Sequence, residues 1–410
     1  MAITVLTIGL LVFVAHLFTA LFEKTRIPDV LLLMLIGIIA GPVFHIVESE
    51  DFGKVGVALT TIALTVILFE GGTTLEIPTI IRSASETLAL TLVSFVVTVA
   101  IGVGIMVGVF QTDLMTGLVL GIIIGGTSSA VVVPMVKGLK MKEPAGTVLV
   151  LESSLTDVLC IVLVAGVLEA MVSTNADTGK IIGGVLSSFL FATVNGVLGG
   201  HLWLFLLDKV RRFPNTIFTT FAFIFILYGF SEMLGFSGAI TALSFGVTLT
   251  NFRYFRFNRL PMLKGVEWSL LNDTERKFYS EVVFLLKIFF FVYLGISMQL
   301  DGFEAFFWPG VFVLSIYAAR LIVTRLVVSS QIPWYERSVM SIMVPKGLAA
   351  AVLAGLPAHY GIPAAGLIQD IVYRIIFISI VLTALLVPLL DKTPIYRFIF
   401  AVKENEPADV

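Results

Sequence analysis

Long apolar runs alternate with short polar segments along almost the whole chain. A helix must supply about 20 apolar residues to cross a membrane, because the hydrocarbon layer is about 30 Å thick and a helix rises about 1.5 Å per residue. By this measure the pattern predicts about thirteen transmembrane helices. They cover Ala2 to Phe22, Val30 to Val47, Val55 to Thr73, Thr87 to Phe110, Thr116 to Val136, Ala145 to Val172, Ile181 to Leu207, Thr216 to Met233, Gly238 to Phe252, Glu281 to Leu300, Phe306 to Val328, Ser338 to Tyr360 and Gly366 to Leu390.

The overall composition predicts an all-α polytopic membrane protein. Of the 410 residues, 58% are hydrophobic and 13% are charged, whereas soluble domains average about 45–50% apolar and about 25% charged residues. This composition excludes a soluble globular enzyme, and the net charge of -2 argues against a nucleic-acid partner. We therefore predict a single transmembrane domain over residues 1–390 and a short cytoplasmic tail over residues 391–410.

The positions of lysine and arginine predict the orientation in the membrane. The loops after odd-numbered spans, together with the C-terminal tail, hold 19 of these residues, and the loops after even-numbered spans hold only Lys54 and Lys180. Because basic loops are retained on the cytoplasmic side, we expect the N-terminus to lie outside and the C-terminus to lie in the cytoplasm. The membrane is expected to be the cell (inner) membrane. The other five basic residues lie within spans or at their edges: Lys287, Arg320, Arg325, Lys346 and Arg374.

Ionisable residues inside apolar spans are the first candidates for function, because a charge in hydrocarbon costs several kcal/mol and is usually retained for a task. The sixth span holds two acids, Glu152 and Asp157, within Leu151–Asp157. Residues four apart share a helix face, so Ser153 accompanies Asp157 and Thr156 accompanies Glu152. An acid beside a hydroxyl supplies the hard oxygen ligands that small cations prefer. The alternative is that both acids bond to neighbouring helices as structural ion pairs.

Two spans carry residues that interrupt a helix. The fifth has two glycines, three hydroxyl residues and a proline within Gly125–Pro134, and the twelfth has Pro345-Lys346-Gly347 followed by Gly355 and Pro357. Interruptions of this kind free backbone carbonyls and present half-helix ends to an ion. The two spans lie seven apart in order and so cross the membrane in opposite directions, as expected of inverted repeats around a midplane site. Ordinary proline kinks are the alternative for either span alone.

Two further ionisable residues accompany these features. Lys346 lies beside the interruption of the twelfth span, where an unpaired ammonium group is costly, so we predict a structural ion pair between Glu152 and Lys346. Glu70 lies at the end of the third span, in Leu68-Phe69-Glu70-Gly71-Gly72. With the orientation given above, Glu70 would line a cytoplasmic access path. An acid that reaches from the membrane interface to water is the alternative.

Four segments make the chain similar to a known family, the monovalent cation:proton antiporters, and in particular to its thirteen-helix sodium/proton exchanger (NhaP-like) branch. They are Ile67–Gly72 in the third span, Thr127-Ser128 in the fifth, Glu152–Asp157 in the sixth and Pro345–Gly347 in the twelfth. The resemblance implies that the broken fifth and twelfth helices cross beside the sixth and that Asp157 takes either a cation or a proton. It also implies a homodimer.

We accordingly expect an ion-transport site that contains Asp157, Ser153, Thr156, Thr127, Ser128 and Glu70, with Asp157, Ser153 and Thr127 as ligands of the monovalent cation. Three positions depart from the family pattern. The sixth span has Thr156-Asp157 where the family has Asn-Asp or Asp-Asp, the fifth has Thr127-Ser128 where Thr-Asp is common, and the twelfth has Lys346 where electroneutral members have arginine. The ligand field is therefore less anionic than is usual in the family.

These features predict a secondary active antiporter that exchanges Na+ or K+ for H+ by competition at Asp157. Li+ is a further candidate cation, membrane lipid is the surrounding partner, and neither a cofactor nor enzymatic activity is expected. The exchange should be electroneutral, because Thr156 stands in place of a second aspartate. A core bundle around spans five, six and twelve would move against a scaffold of the other spans. The alternative is a sodium-coupled symporter of small solutes with related inverted repeats, which would need a roomier polar cavity.

Overall fold

A computed structural model describes residues 2–25, 27–78, 84–142, 144–172, 178–213, 216–255 and 271–392. All regular secondary structure within these ranges is helical, which confirms the predicted all-α class. In chain order the α-helices are α1 Ala2–Thr25, α2 Asp29–Ile38, α3 Gly53–Thr74, α4 Ala84–Gly108, α5 Leu114–Ile123, α6 Ser129–Gly138, α7 Ala145–Val172, α8 Thr178–Val210, α9 Thr219–Met233, α10 Gly238–Phe255, α11 Asp273–Ile296, α12 Phe307–Val327, α13 Trp334–Ile342, α14 Leu348–His359 and α15 Ala365–Lys392.

Each predicted membrane span coincides with one helix or with a pair of helices. Six of the described helices are long and apolar enough to cross a membrane individually, namely α4, α7, α8, α11, α12 and α15. The fifth predicted span is the pair α5 and α6, and the twelfth is the pair α13 and α14. The two interruptions predicted from the sequence are therefore present as gaps between half-length helices.

The helix boundaries differ most from the hydropathy prediction in the tenth and second spans. The helix of the tenth span begins at Asp273 rather than at Glu281. Asp273 and Glu275 lie in its first turn, where negative side chains interact favourably with the positive end of the helix dipole and stabilise the helix start. In the second span the α-helix ends at Ile38 and continues as a π-helical turn over Ile39–Val43. That turn contains Pro42, which lacks the N–H needed for an α-helical hydrogen bond. Hydropathy predicts neither the early helix start nor the π-helical turn, because it measures the length of an apolar run and not its hydrogen bonding.

The chain divides into two compact units. The first contains residues up to 53, from 83 to 172 and from 288 onward, and the second contains residues 54–82 and 173–287. Both broken spans and α7 belong to the first unit. The prediction of one transport domain over residues 1–390, with a core around spans five, six and twelve, stays a prediction. Residues 393–410 of the predicted tail lie outside the described part of the chain.

Close helix contacts position the broken fifth span within the first unit. A Cβ atom at Gly102 in α4 would lie only 2.5 Å from the Cα of Gly121 in α5, so neither position has room for a side chain. Small residues allow helix backbones to approach in this way. The start of α5 is capped by Asp113, whose carboxylate accepts a hydrogen bond from the Thr116 amide at 3.0 Å. Hydrogen bonds from Thr116 lower the pKa of Asp113.

The second unit has an aromatic core. Phe69 of α3 packs edge-on against Phe221 of α9 and Tyr279 of α11 and also contacts Phe245 of α10. These rings are buried, and offset or edge-to-face arrangements of aromatic rings are the favourable ones. Glu70 follows Phe69 in α3, is half-buried, and its carbonyl accepts a hydrogen bond from the Thr73 hydroxyl at 2.7 Å. Glu70 therefore belongs to the second unit and not to the unit that contains Asp157.

Candidate functional site

Asp157 is a buried carboxylate near the middle of α7, with 8% of its surface exposed. Its Oδ2 atom accepts a hydrogen bond from the hydroxyl of Ser129, 3.1 Å away. Ser129 is the first residue of α6 and lies directly after the interruption of the fifth span. The ion pairs of the described residues include none to Asp157. This carboxylate therefore keeps oxygen lone pairs that a proton or a cation can use.

The interruption of the fifth span is held against α7 by hydrogen bonds. The amide of Thr127 donates to the Thr156 hydroxyl at 3.1 Å, and that hydroxyl donates to the Ser153 carbonyl at 3.0 Å. A Cβ atom at Gly126 would lie 3.0 Å from the sulfur of Cys160, so a side chain there would crowd α7. Pro134, which the sequence grouped with the interruption, lies inside α6. Glycines and hydroxyl residues, not this proline, form the break.

The interruption of the twelfth span meets that of the fifth. α13 ends at Ile342 and α14 begins at Leu348, which leaves a non-helical segment around Pro345. The Ser128 amide donates to the Pro345 carbonyl at 2.7 Å. Gly347 packs so closely on the Ser128 side chain that no larger residue fits there. The two breaks therefore contact each other directly, beside the helix that carries Asp157.

Lys346 is almost fully buried at this contact, with 1% of its surface exposed. Its Nζ donates a hydrogen bond to the Gly126 carbonyl at 2.9 Å, and its backbone amide donates to the Ser379 hydroxyl at 2.9 Å. The carbonyl freed by the first break thus binds the cationic group of the second. This contact joins the two broken spans through a charge, not only through backbone packing.

Glu152 does not pair with Lys346, so the predicted ion pair is wrong. Both carboxylate oxygens of Glu152 bind the guanidinium of Arg320 in α12, with Oε2 lying 2.6 Å from Nη2. Both side chains are about 98% buried or more. Arg320 also donates to the Ser94 hydroxyl at 2.6 Å and to the Met340 carbonyl at 3.2 Å. A planar guanidinium matches both oxygens of a carboxylate, which the single ammonium of a lysine cannot do.

The other predicted site residues have different surroundings. The Ser153 hydroxyl donates to the Val150 carbonyl of its own helix at 2.9 Å. Thr127 and Ser128 are buried, and the Ser128 hydroxyl has no hydrogen-bond partner among the described residues. Thr127, Arg320 and Lys346 line a small cavity together with Ser94 and Thr98. The structure therefore brings Asp157, Thr156, Thr127, Ser128 and Lys346 together within the first unit. Glu70 belongs to the second unit, and its part in the site stays a prediction.

The sequence also matches a known protein family over nearly the whole chain. Residues 10–392 match the model of the transmembrane sodium/hydrogen exchanger family. The chain belongs to the sodium/hydrogen exchanger family. It is therefore an integral membrane transporter that exchanges a monovalent cation for protons, and not an enzyme.

Curated relatives of this exchanger are distant in sequence. It is 25% identical over 364 residues to the Na(+)/H(+) antiporter 1 of Methanocaldococcus jannaschii, which covers 85% of this chain and 81% of that protein. It is 23% identical over 382 residues to the K(+)/H(+) antiporter NhaP2 of Shewanella sp. strain ANA-3. That second match covers 91% of this chain but only 63% of NhaP2.

Solved structures show the same fold. The structure of the sodium proton antiporter MjNhaP1 from M. jannaschii at pH 8 superposes with a TM-score of 0.75 at 21% identity, covering 93% of this exchanger and 99% of that chain. An electron-microscopy structure of the same antiporter gives a TM-score of 0.73 at 22% identity and covers 99% of both chains. The predicted family and fold are therefore confirmed.

Two residues of this exchanger's site were not selected from the sequence. Arg320 was recognised only as a basic residue within a span, and Ser129 only as one of three hydroxyl residues at the break. The signal for Arg320 was available, since a buried arginine needs a carboxylate partner and Glu152 is a buried acid. No sequence signal gives the direction of the Ser129 hydroxyl, because helical spacing does not hold across a break.

Proposed function

We propose that this exchanger moves Na+ or K+ against H+ by competition of the two for the carboxylate of Asp157. The observation that carries the proposal is the contrast between the two acids of α7. Glu152 is neutralised by Arg320 through both oxygens, whereas Asp157 accepts a hydroxyl hydrogen bond and forms no ion pair within the described residues. Asp157 is thus the acid of α7 that can change its ligand during a transport cycle.

Competition at one carboxylate couples the two fluxes. A site that crosses the membrane only when it holds a proton or a cation cannot leak either ion. We propose that spans five, six and twelve carry the site and that the remaining spans form the scaffold, as in alternating access around broken helices. The expected orientation places the N-terminus outside and the C-terminus in the cytoplasm. A homodimer is expected from the family resemblance.

The charge count favours electroneutral exchange. With Lys346 protonated throughout, the site has the same charge when Asp157 holds a proton as when it holds Na+ or K+. One cation then moves for one proton, and no net charge crosses the membrane. Lys346 would carry a second proton only if its ammonium group, which now donates to the Gly126 carbonyl, lost a proton in one step of the cycle and regained it in another. Lysine can deprotonate when buried, whereas arginine does not, so the charge carried per cycle has to be measured.

Purified protein in proteoliposomes tests the exchange itself. Addition of Na+, K+ or Li+ in turn to vesicles with an internal pH dye is expected to drive proton movement with at least one of these cations. The cation with the lowest half-saturating concentration identifies the preferred substrate. The pH is varied between about 6 and about 9 in roughly unit intervals. The proposal is contradicted if none of the three cations drives proton movement at any of these pH values.

Electrical recording tests the stoichiometry. On a solid-supported membrane we expect no transport current under conditions in which the dye reports exchange, and an imposed potential should leave the rate unchanged. A transport current would show that unequal numbers of protons and cations are exchanged in each cycle. Loss of that current in Lys346→Arg, with exchange retained, would then identify Lys346 as the second proton carrier.

A further inference from the structure

We propose that the hydroxyl of Ser129 is a ligand of the transported cation and sets the apparent affinity of the site. The inference rests on the proposed role of Asp157. Ser129 Oγ lies 3.1 Å from Asp157 Oδ2, and it is the side-chain hydroxyl that contacts this carboxylate within the described residues. Ser129 was not among the ligands expected from the sequence.

The distance between these two oxygens fits a shared cation. Hard cations of intermediate size bind oxygens at about 2.3–2.6 Å, so neighbouring ligand oxygens of one ion lie about 3–3.7 Å apart. Ser129 Oγ and Asp157 Oδ2 are already at such a separation. A cation could contact both oxygens after the hydroxyl turns its hydrogen away, with little movement of the backbone.

A hydroxyl is suited to both states of the site because it has one donor and two acceptor lone pairs. In this structure it donates a hydrogen bond to the Asp157 carboxylate. When a cation binds, the same oxygen can offer a lone pair to the ion. The carboxylate therefore keeps a polar partner in both states, and its charge is never without a hydrogen-bond donor or a cation within the membrane.

The neighbouring hydroxyls differ from Ser129 in their hydrogen-bond partners. Thr156 Oγ1 accepts from the Thr127 amide and donates to the Ser153 carbonyl, so it is committed to holding the break against α7. Ser153 donates to a carbonyl of its own helix. The Ser128 hydroxyl packs against Gly347 and has no hydrogen-bond partner within the described residues. Ser129 is partly exposed, whereas these three residues are buried.

The test is a comparison of half-saturating cation concentration with maximal rate in proteoliposomes. Ser129→Ala is expected to raise the KM for the preferred cation about tenfold and to change the maximal rate less than twofold, because a ligand worth ~1.4 kcal/mol changes affinity tenfold. Ser129→Thr keeps the hydroxyl and should restore a KM within about twofold of wild type. Ser154→Ala removes a hydroxyl that donates to Val150 of its own helix and should leave the KM unchanged.

The outcomes separate this inference from the proposed function. An unchanged KM in Ser129→Ala, or a lower maximal rate at unchanged KM, would overturn the ligand role. If Ser129→Ala does not fold, Ser129→Gly at this first helical position provides the same test. Asp157→Asn is measured in parallel. An inactive Asp157→Asn with a wild-type KM in Ser129→Ala contradicts only the Ser129 role, whereas an active Asp157→Asn contradicts the proposed function itself.

Discussion

Replacement of Asp157 by Asn is expected to abolish cation-driven proton movement while leaving a folded protein. Asparagine has nearly the same shape, and its amide oxygen can accept the hydrogen bond that Ser129 now donates to Asp157. It cannot take up a proton or offer a negative charge to a cation at physiological pH. Dye-reported exchange in proteoliposomes should fall to the level of protein-free vesicles, while elution as a single species in detergent confirms folding.

Asp208→Asn is the matched control for this variant. Asp208 lies near the end of α8, its side chain is about half exposed, and it pairs with Arg212 just beyond that helix. Solvent-exposed pairs of this kind contribute little to stability. We expect wild-type rates in Asp208→Asn at every cation concentration. Substantial exchange in a well-folded Asp157→Asn protein would show that another group carries the proton.

Removal of either partner of the Glu152–Arg320 pair is expected to destabilise the exchanger strongly. A single Glu152→Gln or Arg320→Gln variant leaves one charge buried without its partner, which costs on the order of 3–5 kcal/mol. The double variant removes both charges. Its loss in free energy of unfolding should be far smaller than the sum of the losses in the two single variants. Unfolding of the purified proteins in detergent, compared as a double-mutant cycle, measures this coupling.

Lys346 supplies the control for that cycle. In the structure its ammonium group binds the Gly126 carbonyl and not Glu152. The losses in free energy of unfolding caused by Glu152→Gln and Lys346→Met should therefore be closer to additive in their double variant than those caused by Glu152→Gln and Arg320→Gln. Stronger coupling of Glu152 to Lys346 than to Arg320 would contradict the pairing described above.

The two helix interruptions could be predicted because their causes are local. Gly125, Gly126 and the hydroxyl residues after them weaken a helix wherever they stand, and Pro345 next to Gly347 does the same. The predicted role of Pro134 was wrong in detail, because Pro134 is the sixth residue of α6 and lies within that helix, not in the break before it. Asp157 could be predicted as a functional residue because a carboxylate within a long apolar span costs free energy of insertion and is usually retained for a function.

The partners of these residues could not be predicted, because they depend on which helices are neighbours. Five basic residues lie within spans or at their edges, and hydropathy does not say which of them faces Glu152. Charge and sequence motif favoured Lys346, whereas bidentate geometry favours Arg320. Ser129 was missed for a related reason. The break before it removes the helical register that would relate its direction to that of Thr127.

Proton release on cation binding is the most direct test of competition at Asp157. Purified exchanger in weakly buffered detergent solution is titrated with the preferred cation at a pH at which exchange is fast, and the released protons are counted. We expect saturable release of up to one proton per chain in the wild type and none in Asp157→Asn. Release of two protons per chain, or equal release from wild type and Asp157→Asn, would contradict exchange at this single carboxylate.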